Sequence, residues 1–117
     1  MKYLLLAGLV VIASFTLGCA SSGELEAKPQ KSFSSNKTVD EFAGCLAQRW
    51  STGPLRYPAN YQVREFGAVV SLPGGGLTAV DAVATIKRND SGVDVYYSER
   101  WPEASPPWME QSVTQCL

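Results

Sequence analysis

Histidine is absent from this sequence and cysteine occurs three times, and these two scarcities remove most familiar catalytic chemistry. Without histidine there is no Ser-His or Cys-His pair to activate a nucleophile, and no imidazole to hold a transition metal. No C-x-x-C occurs and the acidic residues are scattered, so neither a metal site nor a cofactor is expected. An excess of one charge is lacking too: ten Lys and Arg stand against eleven Asp and Glu, a formal net charge of −1. The basic residues occur singly or as the pair Lys87-Arg88 rather than as a stripe, which excludes nucleic acid as a partner. Only carboxylate chemistry remains. Asp94 and Glu99 are five apart on one predicted strand, an odd spacing that sends them to opposite faces instead of flanking a scissile bond. No enzymatic activity is expected.

Long apolar runs are also missing, except at the start. Met1-Lys2 leads an uncharged stretch from Tyr3 to Leu17, followed by Leu17-Gly18-Cys19-Ala20-Ser21. A positive start, an apolar stretch of about 15 residues and small residues at the cut describe an export signal, shorter than a comfortable membrane span. Gly18-Cys19 resembles the core of the lipobox of bacterial lipoproteins, with Thr16 at the position where that pattern usually has leucine. The resemblance implies a signal peptide over 1–18 and a lipid, palmitate included, attached at Cys19. The residues alone also allow an ordinary cut after Ala20. With Ala20 behind the modified cysteine, the resemblance further implies outer-membrane sorting, with the protein facing the periplasm and contacting the membrane through its anchor.

Cysteine arithmetic fits this reading. Lipidating Cys19 leaves Cys45 and Cys116 as an even pair, free to form a disulfide in an oxidising compartment. Closing a loop of about 70 residues is worth roughly 4 kcal/mol in the chain-entropy account. Cleavage before Cys19 removes 18 of the 117 residues and leaves 99, enough for one domain. Positions 19–37 are then expected to be the lipidated cysteine and a flexible tether, since ASSGELEAKPQKSFSSNK is rich in Ser, Lys and Glu. As a coil, 18 residues reach about 23 Å. Within it, Ser34-Ser35-Asn36-Lys37 has S-x-x-K spacing, but no S-D-N or K-T-G follows.

Residues 38–117 read as a disulfide-linked α+β domain. Thr38-Val39-Asp40-Glu41 is a capping-box pattern, with Val39, Phe42, Leu46 and Trp50 at helical spacing and Gly53-Pro54 as the stop. Tyr61 to Leu72 alternates with a slip of phase between Val63 and Phe66, which a bulge near Gly67 or two short strands would reconcile. Pro73-Gly74-Gly75-Gly76 is a turn. Residues 77–88 fit a strand or a helix, and the turn Asn89-Asp90-Ser91-Gly92 followed by alternating Val93, Val95 and Tyr97 favours a hairpin. Ser105 is a candidate cap for a last helix carrying Trp108, Met109, Val113 and Cys116. The expected architecture is a three- to four-stranded antiparallel sheet with the N- and C-terminal helices on one face, joined by Cys45–Cys116. The other face stays open, and Tyr96, Arg100 and Trp101 are its candidate protein-binding residues, because aromatic and arginine side chains are frequent contact anchors.

The leader, the polar stretch behind it, Gly44-Cys45-Leu46-Ala47-Gln48-Arg49-Trp50 and the segment from Ser105-Pro106-Pro107-Trp108-Met109 to Cys116 together resemble small lipoproteins of temperate phages and prophages. That resemblance implies superinfection exclusion, in which an anchored protein beneath the outer membrane blocks a phage receptor or DNA entry. The alternative is a host accessory lipoprotein that stabilises an envelope assembly. Either way the partner is an envelope or phage protein.

Overall fold

The computed structural model describes residues 22–54, 58–74 and 80–117. In chain order these form α1 (Ser22–Ala27), β1 (Lys31–Ser35), α2 (Val39–Ser51), β2 (Asn60–Arg64), β3 (Gly67–Pro73), β4 (Val80–Arg88), β5 (Val93–Glu99) and α3 (Trp108–Cys116). Every strand pairing is antiparallel, in the order β1-β5-β4-β3-β2. The fold is therefore α+β as expected, with five strands rather than three or four.

The fifth strand comes from the stretch expected to be a tether. Lys31 to Ser35 lies against β5, with Lys31 opposite Tyr97 and Ser35 opposite Val93. Its polar composition is satisfied by hydrogen bonds at a sheet edge rather than by burial. Ser34 donates to Asp94 (3.1 Å) and Ser35 to the carbonyl of Leu117 (2.9 Å), while Gln30 exchanges two bonds with the Glu99 backbone (2.8 and 3.1 Å). Phe33 packs on the helix-side core, and Lys31 on the same face pairs with Glu110 of α3 at 2.6 Å. Gly92 lets this edge strand close in: it has φ +158°, and a Cβ there would collide with the Ser35 carbonyl. Lys37, the lysine of the S-x-x-K spacing, donates to the Cys116 carbonyl at the end of α3 (2.7 Å), while Ser34 serves Asp94.

The capping box forms as the spacing predicts. Thr38 accepts from the Glu41 amide (3.1 Å) and Glu41 accepts from the Thr38 amide (3.0 Å). The Thr38 amide bonded to the ionised carboxylate, and then the Thr38 hydroxyl, hold Glu41 below its ordinary pKa. Phe42, Ala43, Leu46 and Trp50 of α2 are buried against Ala68, Val70 and Leu72 of β3, Ala84 and Ile86 of β4, and Val95 and Tyr97 of β5. Helix α3 completes this layer with Met109, Val113 and Cys116. Cys45 and Cys116 are bonded, with 5.9 Å between their Cα atoms, so the disulfide joins α2 to α3. The Trp50 indole crosses the same junction, donating to the Met109 carbonyl at 3.0 Å.

The phase slip is resolved as two short strands, with Glu65-Phe66 between β2 and β3. Gly67, which opens β3, has φ +153°, and a Cβ there would strike the Ile86 carbonyl. The ambiguous stretch is strand from Val80 to Arg88; positions 77–79, like Gly75 and Gly76 of the expected turn, lie outside the described residues. Ser105 does not cap α3. Pro107 occupies that position, with φ −60° already helical, and its side chain makes no capping bond.

Tyr97 is 1% exposed and donates to a buried Glu99 carboxylate at 2.7 Å. Burial, and then the bond to Glu99 and its charge, push its hydroxyl pKa well up. A tyrosine in the unfolded chain ionises near about 10, so this contribution is intact below that value and is lost as pH rises above it. Urea titrations at about pH 9 and about pH 11 are expected to show a falling midpoint, and a smaller fall in Tyr97→Phe. Equal falls in the two proteins would contradict the assignment.

Candidate functional site

The face of the sheet away from α2 and α3 is not open as expected. Val69 and Val83 point to this side, and α1 covers them with Leu25, which is 8% exposed. Ser98 fastens the cover, donating to the carbonyls of Leu25 (2.8 Å) and Lys28 (3.1 Å). Arg64 of β2 pairs with Glu26 of α1 at 3.4 Å.

This cover divides the three residues expected to form one surface. Tyr96 and Ser98 alternate along β5 on this face, Arg100 just past the end of the strand keeps the phase through its amide bond to the Asp81 carbonyl, and Ser98 is buried under the end of α1. Tyr96 lies on one side of that point; Arg100 and Trp101 lie on the other.

Around Tyr96 the strands assemble a contact that the sequence reading missed. Lys87 of β4 places its ammonium 5.2 Å from the centre of the Tyr96 ring and 5.7 Å from that of Phe66, which comes from the β2–β3 turn. The register explains this: Thr85 pairs with Tyr96, so Lys87, two residues on, leans across the same face. Cation–π contacts at exposed sites are worth about 0.5–1 kcal/mol each, a bias toward this position that offsets much of the roughly 1.5–2 kcal/mol cost of ordering a lysine. Beside it opens a hollow of ≈ 350 Å³ lined by Glu26, Ala27, Pro29, Thr85, Lys87 and Tyr96. A second hollow, ≈ 250 Å³, lies across Pro29 and Tyr96 along β1. The surface is a half-buried tyrosine and an ordered cation between two shallow depressions. A cation beside an aromatic face is chemically suited to an acidic or carbonyl group.

Arg100 is half-buried, its amide donating to the Asp81 carbonyl at 2.8 Å. Its guanidinium lies 5.0 Å from the centre of the Trp101 ring. Trp101 is 57% exposed, and Val63 on the edge strand β2 is the other large apolar side chain exposed among the described residues. At the far end of the sheet a hollow of ≈ 480 Å³ is bordered by Asn36, Thr38, Asp40 and Arg88. Its polar groups already serve the fold: Thr38 caps α2, Asp40 accepts from Tyr61 (3.3 Å), and Arg88 reaches the Glu65 carbonyl (3.5 Å). That hollow therefore offers no convergent set of uncommitted groups.

Asp94 and Glu99 lie on opposite faces, Asp94 beside Ser34 and Glu99 under Tyr97. Among the described residues no group of three His, Cys, Asp or Glu side chains could hold a metal ion, and no helix is long and apolar enough to cross a membrane. Cys19 and the expected export signal lie outside the described residues. No protein-family model, curated protein or solved structure matches this chain.

Proposed function

We propose that the chain is an outer-membrane-anchored periplasmic lipoprotein with a non-catalytic protein-binding role, and that this role is prophage superinfection exclusion, blocking phage receptor use or DNA entry. The observation that carries the binding role is the Lys87 ammonium held between Phe66 and Tyr96 beside the hollow under α1. It is a pre-arranged contact on a domain stapled by Cys45–Cys116, so little ordering entropy is lost when a partner docks. Anchoring adds to this by confining the protein to the surface where its partner lies, so that a weak contact suffices. The lipobox-type leader supports the anchor, and the resemblance to prophage lipoproteins supports the exclusion role.

The test is plating efficiency across a phage panel, with Cys19→Ser as the unanchored control and Tyr96→Ala with Lys87→Ala as the surface variant. Wild type is expected to block some phages while adsorption persists, and both variants to restore plating. Unchanged plating with verified export would overturn exclusion and put the host accessory role in its place.

A further inference from the structure

The position of α1 sets how far the domain can stand from a lipid anchor at Cys19. This inference rests on lipidation of Cys19. Helix α1 begins at Ser22, three residues beyond that cysteine. A chain advances at most about 3.6 Å per residue, so Cys19 lies within about 11 Å of Ser22, and one further helical turn puts it within about 16 Å of Leu25. Leu25 does not swing: its side chain is buried with Val69 and Val83, and Ser98 holds its carbonyl at 2.8 Å. The lipid therefore emerges beside the sheet face that α1 covers, the face opposite α2 and α3.

Two residues past Ser98 on that face is Arg100, which draws the Trp101 ring against its guanidinium (5.0 Å) and leaves it 57% exposed. An indole has an apolar body and a polar N–H, the combination that favours the boundary between headgroups and acyl chains. A guanidinium matches phosphate with paired hydrogen bonds. We propose that the Arg100–Trp101 pair is a lipid contact, and that with α1 it forms the surface on which the domain rests against phospholipid headgroups. A partner reaching Tyr96 then approaches along the membrane surface, as the periplasmic rim of a membrane protein does.

The full-length protein, extracted from membranes, is reconstituted into phosphatidylethanolamine–phosphatidylglycerol vesicles with plain or brominated acyl chains, bromine being a short-range quencher of indole emission. Trp50 is buried and Trp108 lies on the α3 side, so each serves as an internal reference. Emission of the wild type is expected to fall on brominated vesicles, and Trp101→Phe to lose most of that quenching. Lipidated, vesicle-bound protein with equal emission on both vesicle types would overturn the lipid contact and leave anchoring intact, as would quenching unchanged in Trp101→Phe. A Cys19 peptide without lipid mass would remove the anchoring reading and this proposal with it.

Discussion

Reducing the Cys45–Cys116 bond lowers the melting midpoint by about 15–30 °C. The bond closes a sequence separation of 71 residues, and the chain-entropy account gives roughly 4 kcal/mol for a loop of that length. In a domain of this size each kcal/mol shifts the midpoint by about 4–8 °C. The consequence is concentrated at one place. Helix α3 follows the loop from Arg100 to Pro107, and it is joined to α2 by the disulfide, the Trp50–Met109 bond, the Arg49–Gln115 bond (2.7 Å) and the packing of Val113. Circular dichroism melts with and without reductant, alongside a Cys45→Ala/Cys116→Ala variant, measure this. An unchanged midpoint would show that packing and hydrogen bonds hold α3 without the disulfide.

Trp50→Ala is expected to cost about 3–5 kcal/mol, the range for removing a large buried aromatic. Its ring is 0% exposed and lies 6.3 Å from that of Tyr97, between α2 and the sheet. Truncation also leaves the Met109 carbonyl without the indole N–H at 3.0 Å, and a buried acceptor without its donor carries a further penalty. Trp50→Phe keeps most of the packing and loses the donor, so its loss should be smaller. Urea unfolding separates the two. Equal losses would mean that the hydrogen bond, not the volume, dominates at this position.

What was legible in the sequence is the half of the molecule governed by local rules. The Thr38 cap, the Phe42-Leu46-Trp50 stripe, the hairpin around Asn89–Gly92 and the α2–α3 disulfide follow from capping chemistry, periodicity and cysteine parity, and each is present. Residues 22–35 were misread because composition measures how much a segment can bury, whereas β1 is held by backbone pairing at an edge and by Ser and Gln side chains. The clue lay elsewhere in the chain. Val69 and Val83 sit at positions that alternation assigns to the face away from the main helices, and they require a cover that Leu25 supplies. Ser105 was misread for a different reason: a serine near a helix start competes with a proline whose fixed φ already suits the first turn.

The candidate site shows the same division. Tyr96, Arg100 and Trp101 were found from residue type and strand phase, but their grouping was not, since α1 separates Tyr96 from the other two. Lys87 and Phe66 were missed because they meet Tyr96 through the cross-strand register, which no single strand displays. With α1 and β1 part of the fold, the stretch from Ser22 to Ser35 is not the coil that its composition suggests.

Everything functional in this account depends on the anchor, so the most direct measurement is palmitate labelling of cells expressing the protein, followed by separation of inner and outer membranes. The wild type is expected to carry label and travel with the outer membrane, while Cys19→Ser carries none and is not retained there. Unlabelled wild-type protein found in the soluble periplasm would contradict it.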